Sequence, residues 1–102
     1  MKKLFISQPM KDKTDDEILE VRNAAIKEAE ELVGEKVEVI NSFFQNSPHD
    51  ARPSYPLWLL GKSLELMSTA DVVYFAEGWT DARGCRIEHT CAVEYGLDRI
   101  EK

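Results

Sequence analysis

Segment 70–96, ADVVYFAEGWTDARGCRIEHTCAVEYG, constrains the fold more than any other part of the chain. Residues 71–75 read as a buried strand and 78–84 as a loop. Residues 85–95 read as a helix whose inward stripe, Glu88, Cys91, Ala92 and Tyr95, is spaced i, i+3, i+4, i+7. A buried strand running into an amphipathic helix is half of an α/β unit. Glu88 is the odd member of the stripe, because an ionised carboxylate is costly to bury unless it is paired. A position in the first turn of the helix, close to free N–H groups and the positive end of the helix dipole, accounts for part of that cost. Partial burial also makes Glu88 a candidate functional group.

The rest of the chain repeats the alternation. Residues 4–7 (LFIS) form a short apolar run that Gln8-Pro9 ends, since proline cannot continue a ladder. Thr14 to Glu17 spell a capping box, and the apolar positions Ile18, Val21, Ala25, Ala29 and Leu32 follow at helical spacing, with Arg22 among the polar faces. Gly34 is the expected C-terminal stop. Residues 36–41 (KVEVIN) read as an outer parallel strand. Residues 42–56 contain three prolines and no clear period, which is long for a loop in so small a domain. Leu57, Leu60, Leu64 and Met67 mark a second helix, and residues 97–100 a last strand.

This order predicts a single domain over 1–102, of class α/β. The expected architecture is a small three-layer flavodoxin-like doubly wound parallel sheet of four or five strands, ordered 2-1-3 with the fourth beside the third. The ligand crevice of such a sheet lies at the carboxyl ends of strands 1 and 3. Three segments converge there: 7–13, the long loop, and 77–88.

Composition excludes several classes of partner. With 13 basic against 19 acidic residues and a net charge of −6, the chain has no basic face to offer duplex nucleic acid or an anionic membrane. No apolar run approaches the roughly 20 residues of a membrane span, and MKKLFISQPM lacks the apolar length of a secretory signal, so the expected location is cytoplasmic. Cys85 and Cys91 lie roughly 9 Å apart by helical rise, too far for a disulfide, and read as reduced apolar fillers. They do not make a zinc site with His49 and His89, and neither a metal nor a cofactor is expected. At 102 residues, burial of further surface in a homodimer or higher homo-oligomer is plausible.

A carboxylate at the mouth of an α/β crevice can attack an anomeric carbon, provided that a second group protonates the leaving group. Asp81, Asp71 and Asp50 are the acidic candidates, Asp81 first, although an Asx-type turn in WTDARG would equally explain it. Gly84 suits a tight turn into the helix and a ligand's approach to its N-terminus. Phe43, Phe44, Tyr55, Trp58 and Trp79 are aromatic groups that can stack on a base or sugar, with a core role favoured for Trp58. Lys11 and Lys13 sit beside the first helix N-terminus, where a phosphate could bind.

Three stretches, ISQPM, ADVVYFAEGW and GCRIEHTCAVEYG, are similar almost word for word to the DUF4406 family of the nucleoside 2-deoxyribosyltransferase-like superfamily. The resemblance spans nearly the whole chain. It implies a flavodoxin-like domain that binds a nucleoside or its 5′-monophosphate, and a glutamate, in a pattern like D-x-G-x-x-x-E, that attacks the sugar C1′. Carried over by position, Glu88 is the nucleophile, Gly84 the glycine before it, Asp81 the nearby aspartate, and Asp71 the one opening the preceding strand. Asp81 precedes Glu88 by seven residues where the pattern has six, and His89-Thr90 follow where a small residue is usual. The substrate-binding set becomes Ser7, Gln8, Pro9, Met10 and Lys11, with Gly78, Trp79 and Gly84. Lys11 falls where the monophosphate N-glycosidase branch has an arginine. Members are commonly dimers.

The leading expectation is therefore an N-glycosidase or 2-deoxyribosyltransferase acting on a nucleoside or nucleotide. The alternatives are a non-catalytic nucleotide-binding or sensing module and, third, an interaction protein using the aromatic loop 42–58.

Overall fold

Strand β1 (Lys2–Ser7) runs through the centre of the molecule, and the alternation of its side chains decides what each face of the sheet buries. Leu4 and Ile6 pack on one face with Val72, Tyr74 and, from helix α1 (Asp15–Val33), Ala25 and Ala29. Phe5 packs on the other face with Val73 and Phe75. The same face receives Met67 from α2 (Tyr55–Met67) and Ala92 from α3 (Arg83–Glu94). The computed structural model describes residues 1–42 and 54–102. Among the described residues, Leu4, Phe5, Ile6, Val73 and Phe75 are the largest fully buried side chains. Each contributes about 1.5–3 kcal/mol relative to exposure.

β2 (Val37–Val39) lies parallel to β1 on one side and β3 (Val72–Phe75) on the other. β4 (Asp98–Glu101) runs parallel to β3 on its outer side. The order 2-1-3-4, with helices on both faces, is the small flavodoxin-like doubly wound arrangement expected from the alternation. The sheet has four strands among the described residues, not five.

The capping box of α1 is formed: the Glu17 backbone N–H donates to Thr14 Oγ1, and the Thr14 N–H donates to the Glu17 carboxylate, each at 3.1 Å. Gly34 closes the helix at φ 81°, its N–H donating to the Glu30 carbonyl at 2.9 Å. The buried stripe differs from expectation. It is Ile18, Arg22, Ala25 and Ala29, whereas Val21 and Leu32 are 40% and 65% exposed. Val21 lies at the margin of this stripe; Arg22, one step round the helix, is drawn inward because its guanidinium finds acceptors there.

α2 begins at Tyr55, two residues before its expected start, with Pro56 in the first turn, where a missing N–H costs nothing. Its seam to the sheet is short. Met67 is buried and Leu64 and Leu66 pack beside it, while Leu57 is 64% exposed. α3 also starts early, at Arg83, so Glu88 is its sixth residue and lies beyond the first turn. The inward face of α3 is Cys85, Glu88 and Ala92; Tyr95, expected inside, is 84% exposed.

Candidate functional site

The carboxyl ends of β1 and β3 end in matching interruptions. Pro9 stops β1, and Gly78, at φ 89°, turns the chain after β3 in a left-handed conformation that L side chains rarely adopt. A Cβ at Gly78 would meet Pro9 Cγ at 3.4 Å, so these two residues bring the strand ends close. A short 3-10 turn, Trp79–Asp81, then leads into α3.

Ser7, the last residue of β1, points to the α3 face, as the alternation from Phe5 requires. Its hydroxyl donates to Glu88 Oε1 at 2.7 Å in a buried hydrogen bond. Glu88 is 7% exposed. Burial pushes its carboxyl up to about 7, with the Ser7 hydrogen bond pulling partly the other way. Because Glu88 sits past the first helical turn, Ser7 supplies the polar contact that the free N–H groups of the helix were expected to give. Cys85, one turn earlier on the same stripe, is buried too. Its thiol is pushed up by burial, held back by Ser7 and raised by the Glu88 charge. Ser7, Cys85 and Glu88 thus form one buried polar cluster.

Gln8, the next residue, points to the α1 face and meets a side chain that periodicity had put outside. Arg22 is 6% exposed and donates to Gln8 Oε1 (3.3 Å), Ser42 Oγ (3.2 Å) and the Ile40 carbonyl (3.3 Å). The Gln8 amide also donates to the Ile18 carbonyl at 3.1 Å. No carboxylate lies within ion-pair distance of Arg22 among the described residues. Burial alone lowers its pKa from the usual guanidinium value. The position of Arg22 on the stripe 18, 22, 25, 29 was the available signal; its charge argued against taking it as one.

A cleft of about 370 Å³ opens beside these strand ends, with Gln8, Pro9, Ile18, Val21 and Gly78 among its walls. Lys13, Glu17, Glu20, Glu77 and Asp81 supply its charged groups. Neither Ser7 nor Glu88 forms part of its wall. A larger hollow of about 500 Å³ along β4 involves Gly96, Asp98 and Arg99 and none of the polar residues above.

The other expected site residues divide. Asp81 is exposed at the cleft, which the half-buried Pro9 and Gly78 also line. Gln8 is at the wall, but its amide is bonded to Arg22 and Ile18. Met10 is half-buried and its carbonyl accepts from the Lys13 N–H at 3.1 Å. Lys11 is exposed and does not line the cleft, which Lys13 does. Asp71 is not brought to the site. It precedes β3, at the amino end of the sheet, where its Oδ2 accepts from the Lys3 N–H at 2.8 Å. Trp79 turns away from the cleft: its ring stacks on His89 at 4.1 Å and meets Phe75 at 5.6 Å, and its indole N–H donates to the Lys102 carbonyl. His89 Nε2 in turn lies 2.7 Å from Glu101 Oε1. Gly84 makes no tight turn. It is the second residue of α3 with no positive φ, and a Cβ there would meet nothing within 4 Å. Of the two glycines expected at the site, Gly78 is the one with a positive φ.

Phe43, Phe44, His49 and Asp50 lie outside the described residues, as does most of the 42–58 loop. Tyr55 and Trp58 stack at 5.8 Å on α2. Cys85 and Cys91 are both free thiols. Among the described residues no group of three or more His, Cys, Asp or Glu is arranged to hold a metal, and no helix is long and apolar enough to cross a membrane.

No protein-family model matches the chain, and neither a curated protein nor a solved structure matches it.

Proposed function

We propose that the protein binds a nucleoside or nucleoside 5′-monophosphate at the carboxyl ends of β1 and β3 and cleaves its N-glycosidic bond, as an N-glycosidase or 2-deoxyribosyltransferase. The observation that carries this reading is Glu88, a buried carboxylate poised near pH 7 and held by the Ser7 hydroxyl at the switch point of the sheet. Ser7 bonds Oε1, and for attack on a bound sugar Oε2 has to be brought to the cleft, of whose wall Glu88 is not a part. In the ionised form Oε2 attacks C1′; the C1′–N bond breaks, its electron pair leaves with the base, and a glycosyl ester forms on Glu88. Asp81, exposed at the cleft, is the candidate for relaying a proton from solvent water to the departing base. Water or a second base then releases the sugar.

Activity on this reading rises with pH as Glu88 ionises around pH 7. The test is a panel of nucleosides and 5′-monophosphates analysed for free base and exchanged product. The Glu88→Gln variant should lose at least about 10³-fold in turnover while keeping the wild-type circular dichroism. Base release by that variant at the wild-type rate sinks the mechanism.

One observation favours a second reading, a non-catalytic nucleotide-binding or sensing module: Glu88 is 7% exposed and is not part of the cleft wall. Thermal stabilisation by nucleosides without any release of base would select it. Self-association as a homodimer is compatible with either reading.

A further inference from the structure

Resting on the nucleoside reading above, we infer that the cleft selects the unphosphorylated nucleoside and rejects its 5′-monophosphate, with Glu20 and the carboxylates beside it as the specificity-determining groups. Glu17, Glu20, Glu77 and Asp81 set four carboxylates against the single ammonium of Lys13 in its lining. A 5′-monophosphate carries about −1.5 to −2 at neutral pH, so it would enter a field of its own sign, within a chain whose net charge is already −6.

A second feature, which shares Glu17 with the first, points the same way. The N-terminus of α1 opens beside the cleft, and a helix N-terminus is ordinarily a place for a phosphate. This one is already occupied by its own chain. Asp15, Asp16 and Glu17 fill its first turn, the Thr14 hydroxyl takes the Glu17 N–H, and the Glu17 carboxylate folds back onto Thr14. The buried cation nearby offers no substitute. Arg22 is enclosed, and its guanidinium donates to Gln8, Ser42 and the Ile40 carbonyl. Lys11 is exposed away from the lining. The neutral surface of Gln8, Pro9, Ile18 and Gly78 suits a sugar and base whose only charge is acquired during reaction.

The experiment compares kcat/KM for one nucleoside and its 5′-monophosphate, at ionic strengths of about 0.01 M and 0.15 M, in the wild-type protein and in Glu20→Lys. Glu20 is exposed, so the variant should fold. The expected result is a preference for the nucleoside of about tenfold or more at low salt. That ratio should shrink at least about threefold at the higher salt, as the Debye length falls from about 30 Å to about 8 Å, and shrink again in Glu20→Lys. A monophosphate that turns over as well as the nucleoside at low salt overturns the inference. So does a preference that neither salt nor Glu20→Lys alters, because selection would then be by shape. If neither compound turns over, the glycosidase reading falls, and the same comparison made on calorimetric Kd values decides the inference by the same criteria. Binding of neither compound overturns both.

Discussion

Ser7 and Gln8 are neighbours at the end of β1, and each holds a buried charged side chain on its own face of the sheet, but the two pairings differ in kind. Glu88 has a single hydroxyl partner and sits near neutrality, so a small change in pH or in surroundings alters its charge. Arg22 has three neutral acceptors from two segments, and a guanidinium does not give up its proton. The first group can change its charge near neutral pH. The other is a tie that joins α1 to the ends of β1 and β2. A buried charge by itself therefore does not mark chemistry; the number of partners and the ability to titrate do.

That contrast can be broken from either side. The largest effect on stability belongs to Glu88. Its folded pKa of about 7 lies above the unfolded value near 4.5, so the folded protein holds a proton that the unfolded chain has released between those limits. Stability should fall as pH rises from about 4.5 to 7 and then level off, by up to about 3 kcal/mol. Denaturant titrations of Glu88→Gln should lack this slope, and the variant should be more stable than the wild type at pH 8. An unchanged slope would assign the pH dependence to other groups.

Arg22→Ala should cost about 2 kcal/mol at all pH values, since it strands the Gln8 carbonyl and the Ile40 oxygen in a buried place. Urea midpoints measure this, and a loss below about 0.5 kcal/mol would show that the three acceptors find other partners. Ser7→Ala should be milder, about 1 kcal/mol, with a more specific signature. It removes the one hydrogen bond that favours the ionised carboxylate, so the pH midpoint of activity should move upward. A midpoint that stays in place would show that Ser7 packs against Glu88 without tuning it.

The legible parts of the sequence were those written locally. The capping box at Thr14, the stop at Gly34 and the interruption at Pro9 each depend on a few adjacent residues, and the alternation of strands and helices fixed the sheet order. Glu88 stood out because it broke a pattern. Arg22 escaped because a charged residue on an apolar stripe reads as the edge of that stripe unless its distant acceptors are known. The position of Glu88 within α3 was displaced for a related reason: the helix begins after Ala82, which provides no side-chain cap, so nothing local announces the start. Asp71 was separable on topology alone, since a residue that opens a parallel strand lies at the end opposite the crevice. The direction of Trp79 was not, because it depends on His89, Phe75 and the Lys102 carbonyl meeting in three dimensions.

Gly78 and Pro9 act together as a spacer between two strand ends. One has no side chain to swing aside and the other has a ring that cannot rotate away, and both line the cleft. At that part of its wall the cleft is bounded by backbone and ring, not by a residue that would read a ligand's polar groups. A change of preferred ligand size in proteins built on this plan could arise at that hinge pin while every polar group of the pocket stayed as it is.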